Sequence, residues 1–178
     1  KFANDQSNST GMSLNSYAAI HELIRKIKPK RVLECGTGKT TFIIAHALKL
    51  NNNKANLISL EDKKIWYKKA IKKFPFEKFR NTEILYRPIR EIKLGMFRGY
   101  GYKDIPKFNW DVVFVDGPTI PQDESSIEGC NLQFAEIALK SKNPVIGITD
   151  KRLTTAVVHK LLFGSKYTKY SSYFNVST

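Results

Sequence analysis

The spacing of apolar positions changes several times along the chain, and each change marks an element. Tyr17, Ile20, Ile24 and Ile27 recur every three or four residues, which predicts a helix over Leu14–Ile27. Ser13 is placed to cap it, and Pro29 to stop it. Arg31–Cys35 is a short apolar run that ends in glycine, a strand signal, and 41–50 is unbroken apolar helix. Residues 51–53 make a turn. A second strand is predicted over 55–61, then a helix capped by Asp62 that runs to 74, before Pro75. A third strand spans 82–87 and stops at Pro88. Residues 89–109 are rich in glycine, aromatic and basic residues and have no clear period. The strongly apolar 110–116 is a fourth strand, and 118–124 a loop. Ile127, Cys130, Phe134 and Ile137 share one side of a predicted helix over 125–139. A fifth strand over 144–149, a helix over Leu153–Phe163 and a terminal strand over 167–176 complete the pattern. Residues 1–12 are small and polar, a flexible lead-in.

Strands that alternate with helices build βαβ units. The expected class is α/β, a Rossmann-like doubly wound, mostly parallel sheet with helices on both faces, as one domain over 1–178. In such sheets ligands bind outside the carboxyl ends of the strands. The informative positions are therefore Glu34 to Gly38, Glu61 and Asp62, Pro88 and Ile89, Asp116 and Gly117, and Asp150 and Lys151.

Composition adds three expectations. At 42% hydrophobic and 12% aromatic the chain is globular, and no apolar run approaches a membrane span. Cys35 and Cys130 form no metal-finger or CxxC spacing, which suits small buried thiols in a reducing, cytoplasmic setting. Lys and Arg number 30 against 16 Asp and Glu, a net charge of +14, which favours polyanions such as RNA among partners.

The stretch "RVLECGTGKTTF" (31–42) carries two signals that cannot both hold. Its tail resembles a triphosphate-binding loop, G-x-x-x-x-G-K-[ST]. Aligned on Gly38-Lys39-Thr40, that loop would need glycine at Leu33, and it would place Glu34 against phosphate oxygens. The same residues suit a nucleoside loop. Gly36 and Gly38 allow a tight turn and close backbone approach, and Glu34 suits a cationic ligand group. Glu61 ends the next strand 23 residues beyond Gly38, where an acid commonly binds ribose hydroxyls.

These segments resemble the class I S-adenosylmethionine-dependent methyltransferases. "RVLECGTGKTT" is similar to their first motif, and "LISLEDKKIWYKKA" to their second strand, acidic residue and helix. "ILYRPI" resembles the segment along the adenine, and "WDVVFVDGP" the strand that faces the transferred methyl. "GYGYKDIPKFNWD" resembles the aromatic segment before that strand in some small-molecule and sugar methyltransferases. The resemblance covers 13–150, and Lys39-Thr40 departs from it. It implies S-adenosylmethionine as cofactor, with contacts from Glu34, Gly36, Thr37, Gly38, Thr40, Glu61, Asp62, Pro88, Ile89 and Asp116. It implies catalytic roles for Asp116, Asp150 and Lys151. Separately, the long aromatic segment 96–108 reads as a lid-like loop, with Tyr100 and Tyr102 in a substrate-side wall. Asp116 and Asp150 would be the Mg²⁺ ligands if a metal serves the acceptor, although Asp150-Lys151 replaces the Asp-Asn of the metal-dependent catechol type.

The expected activity is O-methylation of a small-molecule or sugar acceptor. The alternatives are an RNA methyltransferase, a non-catalytic cofactor-binding domain and a P-loop protein. Against RNA, Asp116-Gly117-Pro118-Thr119 is not the [DNS]-P-P-[YF] of amino-directed enzymes. No Glu follows Glu136 to complete a ribose-directed Lys-Asp-Lys-Glu tetrad. His21, His46 and His159 fall within helices, and His159, on a face with Arg152 and Thr155, is expected in solvent. Trp66 is expected in the core, and Lys64, Lys68 and Lys72, with Lys69 and Lys73, on a solvated face.

Overall fold

The computed structural model describes residues 12–51, 54–120, 129–150, 152–171 and 176–177. The lead-in, most of the 51–53 turn and of the 118–124 loop, 125–128, Lys151 and much of the terminal strand lie outside them. The elements are α1 (Leu14–Ile27), β1 (Arg31–Cys35), α2 (Lys39–Leu50), β2 (Asn56–Glu61), α3 (Lys64–Lys73), β3 (Thr82–Tyr86), β4 (Ile89–Leu94), β5 (Phe97–Tyr102), β6 (Val112–Val115), β7 (Cys130–Asn131), α4 (Gln133–Lys140), β8 (Ile146–Thr149), α5 (Leu153–Phe163), β9 (Tyr170–Ser171) and β10 (Val176–Ser177).

The main sheet has the order β3-β2-β1-β6-β8-β10-β9. The first five strands pair in parallel, and β10 runs antiparallel to both β8 and β9. The central strands are apolar because both of their faces are covered. Val32, Phe114 and Ile148 join Ile20 and Ile24 of α1 and Ile44 and Leu48 of α2 in one core layer. Leu33, Cys35, Val113 and Val115 point the other way, to Tyr102 and Trp110, with Phe134 of α4 alongside. This is the doubly wound α/β class expected. Both cysteines are buried thiols. No helix among the described residues is long and apolar enough to cross a membrane.

Three expectations are corrected. Residues 89–102 are not an open lid. β4 and β5 form an antiparallel hairpin from Ile89↔Tyr102 to Leu94↔Phe97, and β7 adds to it in a second, three-stranded sheet. Secondly, 130–132 is not helical. The Asn131 carboxamide oxygen accepts the Gln133 N–H at 2.8 Å, a local turn that ends β7 and lets α4 begin at Gln133. Thirdly, Asp62 does not cap α3. The cap position is Lys63, without a side-chain bond.

Candidate functional site

Because β1, β2, β6 and β8 are parallel, their carboxyl ends lie along one edge, and two glycine turns meet there. Gly36 has φ +97°, open to glycine but rarely adopted by L side chains, and a Cβ on it would lie 2.7 Å from the Gly117 nitrogen. A Cβ on Gly117 would lie 2.7 Å from both the Gly36 Cα and the Tyr102 hydroxyl. Only a glycine pair permits this approach.

The first turn is braced by its own helix. Glu34 is fully buried at the end of β1. It accepts Thr40 Oγ1–H at 2.5 Å and Thr41 Oγ1–H at 2.6 Å, and Thr41 Oγ1 in turn accepts the Gly38 N–H at 3.0 Å. Burial pushes the Glu34 carboxyl up to about 7, against the hydroxyls of Ser59, Thr40 and Thr41, which favour the ion. Thr37 and Ser59 share a hydrogen bond of 2.7 Å across to β2. Thus Glu34, Thr37, Gly38 and Thr40 gather at one turn, but both Glu34 oxygens are taken by Thr40 and Thr41 of α2 and do not face an open site as a cationic ligand group would need.

Glu61 ends β2 beside this turn, 6% exposed. Its Oε1 accepts the Lys63 N–H at 2.9 Å, and burial raises its pKa although the backbone N–H groups of Lys63, Asp62 and Thr37 favour the ion. Asp62 is half-buried under the second turn, facing the Tyr102 hydroxyl and the Thr119 N–H, and burial raises its pKa too. Pro88 and Ile89 open the hairpin instead of forming a loop. The Pro88 carbonyl accepts the Lys103 N–H at 2.8 Å, and Ile89 pairs with Tyr102. Tyr102 is fully buried, and Tyr100 is partly exposed near Gly129.

Asp116 and Asp150 end β6 and β8, neighbouring strands. Burial, then the Asp150 charge, pushes Asp116 up to about 7, while Arg152 opposes the shift. Arg152 bonds Asp150 through Nε at 3.0 Å, the Pro118 carbonyl through Nη1 at 2.8 Å and the Asp116 carbonyl through Nη2 at 2.9 Å. Among the described residues no group of three or more His, Cys, Asp or Glu could hold a metal. Of the two expected Mg²⁺ ligands, the Asp150 carboxylate is paired with a guanidinium, so this pair does not fit the ion. Lys151 lies outside the described residues.

Three residues at this edge were missed in the sequence. Arg152 sits three positions after a predicted strand, one beyond the strand-end pair Asp150-Lys151. Tyr17, read only as an apolar helix position, comes near Asp116, and burial followed by that charge raises its pKa. Asn131 donates to the Gly117 carbonyl at 2.6 Å from within a segment taken for helix. Two side-chain placements are also corrected. His159 is 5% exposed among Phe134 and Phe163, without a hydrogen-bond partner for Nε2 among the described residues, and burial lowers its pKa to about 4. Arg152 leaves that helix face by reaching back to Asp150. Trp66 is 41% exposed, because α3 contributes no fully buried residue, and the Lys69 ammonium lies 4.3 Å from its ring centre.

No protein-family model matches the chain, and no curated protein matches it in sequence. Solved structures do match in fold. The O-methyltransferase TomG from Streptomyces achromogenes, involved in tomaymycin synthesis and solved with S-adenosylmethionine, superposes with a TM-score of 0.53 at 20% identity. That match covers 83% of this chain and 60% of TomG. An O-methyltransferase from Bacillus cereus, solved with S-adenosylhomocysteine, gives 0.55 at 17% identity over 85% and 63%. A methyltransferase from Geobacter sulfurreducens gives 0.58 at 11% over 93% and 77%. This chain spans about three-fifths of the length of the first two. With its strand order and antiparallel β10, the chain has the fold of the class I S-adenosylmethionine-dependent methyltransferases.

Proposed function

We propose that the protein is an S-adenosylmethionine-dependent O-methyltransferase acting on a small-molecule or sugar acceptor. One observation carries the reading. The Gly36 turn, Glu61 and Asp116 converge at the carboxyl ends of β1, β2 and β6, side by side, in a methyltransferase fold. The donor set suits that cofactor better than a nucleotide triphosphate, since the edge offers carboxyl groups where phosphates would need cations. The bound cofactor supplies an electrophilic methyl on sulfur. The chain's own residues do the rest. Glu61 binds ribose hydroxyls, and the Gly36–Gly38 backbone lies against the cofactor. Asp116, with its pKa near 7, takes the acceptor proton at neutral pH. The partly exposed Tyr100 lines the acceptor side, and Tyr102 supports it from the core.

Calorimetric titration with S-adenosylhomocysteine tests the cofactor. Binding is expected, weakened in Glu61→Ala by about 1–3 kcal/mol, the effect of leaving buried polar groups unpaired. Lys39→Ala should weaken it much less than Glu61→Ala does. Tight Mg-ATP binding abolished by Lys39→Ala would overturn the reading. The net charge of +14 and the exposed lysines of α3 favour RNA as a second acceptor class. Transfer of labelled methyl to RNA faster than to any phenol or sugar in a screen would put that class first.

A further inference from the structure

The acceptors around Arg152 are of one kind. Both Asp150 carboxylate oxygens face it, Oδ2 at 3.0 Å from Nε and Oδ1 at 3.2 Å from its main-chain N–H. Two main-chain carbonyls, those of Asp116 and Pro118, complete the set at 2.9 and 2.8 Å. Hard oxygens from a carboxylate and from backbone carbonyls, gathered at adjacent strand ends, are the ligands that a divalent cation takes. Here three of the four converge on a planar fork that donates several bonds at once, and the fourth accepts the main-chain N–H. The Arg152 side chain is 24% exposed and that of Asp150 15%, so the pair is shielded from most of the solvent.

We propose that Arg152 is the resident cation of this edge: it stands where a divalent metal would bridge the β6 and β8 ends, and it positions the 116–118 turn without one. The assignment of that turn to the acceptor rests on the function proposed above, whereas the cation assignment rests on the bonds alone. A metal could enter only by breaking the Asp150 pair and by standing beside a like charge in a shielded place. Arg152 touches no reacting atom. It is a positioning residue that acts through Asp116.

The test uses Mn²⁺ as probe, followed by electron paramagnetic resonance in wild type, Asp150→Asn, Arg152→Ala and Arg152→Lys. Wild type should show no Mn²⁺ binding that Asp150→Asn removes. Arg152→Ala should gain a site at least about tenfold tighter than any in wild type, lost again when Asp150→Asn is added. Arg152→Lys keeps the charge and should stay without it, an outcome that loss of packing alone would not produce. Asp150-dependent Mn²⁺ in wild type would overturn the proposal, a comparison that requires no Arg152 variant to fold. So would the absence of any gain in a folded Arg152→Ala. Titration of the same proteins with S-adenosylhomocysteine separates the two claims. A wild type that binds no S-adenosylhomocysteine overturns the proposed function and leaves the Mn²⁺ result standing.

Discussion

The two glycine turns touch, yet they are fixed by opposite means. The Gly36 turn is held mainly by near neighbours, by Glu34 with Thr40 and Thr41, six and seven positions on, and by bonds from Glu34, Gly36 and Thr37 to Ser59 and Leu60 of the next strand. The Gly117 turn is held from outside. Asn131 grips its carbonyl, Arg152 grips those of Asp116 and Pro118, and the Thr119 N–H faces Asp62. A turn braced chiefly by its own helix and the next strand depends less on distant elements. A turn braced by distant elements changes when they do. The arrangement suits a constant ligand on the first side and a variable one on the second.

Substitutions can break this contrast. The largest effect should come from Asp116→Asn, which keeps size and removes the proton acceptor. Turnover should fall by about 10²-fold or more, with S-adenosylhomocysteine affinity unchanged, as read by labelled methyl transfer and calorimetry. Full activity would reduce Asp116 to a turn-forming residue. Next, Asn131→Ala leaves the Gly117 carbonyl without its donor and should cost about 1–3 kcal/mol of stability in denaturant unfolding. The cofactor should still bind, because the Gly36 turn does not depend on Asn131. A matching loss of cofactor affinity would mean that the two turns are one unit.

A third test sharpens the contrast through pH. The Glu34 carboxyl is raised from 4.5 to about 7, so the folded protein holds a proton that the unfolded chain has released. Its contribution to stability is present below about 4.5 and is lost as pH rises through 7. Glu34→Gln lacks this dependence. The thermal midpoint of wild type should therefore fall relative to the variant between pH 4.5 and 7, as followed by circular dichroism. His159 works the other way. Its pKa is lowered from 6.5 to about 4, so it destabilises the fold as pH falls through that range.

The same contrast explains what could be read in the chain. β1, α1 and α5 matched their expected bounds because caps, prolines and apolar period are local signals. Glu34 could be placed at the first turn because its loop is contiguous, but not its bonds to Thr40 and Thr41. The β4–β5 hairpin was missed because Gly99 and Gly101 and the charged Arg90, Glu91 and Lys93 hide the strand alternation. Arg152 lies 34 and 36 positions from the carbonyls it binds, and Asn131 lies 14 from its own. No spacing rule joins residues brought together only by neighbouring strands.

The lysine face of α3 also has an optical consequence. The two indoles sit in opposite surroundings. Trp110 is 3% exposed, edge-on to Phe108 at 5.4 Å, and Trp66 stands open beneath Lys69. Cations gathered around an open ring draw anions to it. Iodide should therefore quench the fluorescence of Trp66 more strongly than neutral acrylamide or caesium does, each taken relative to its quenching of free indole, and leave the emission of Trp110. Trp66 rides on the helix directly after Glu61, so the emission that iodide can reach reports on the β2 end of the sheet.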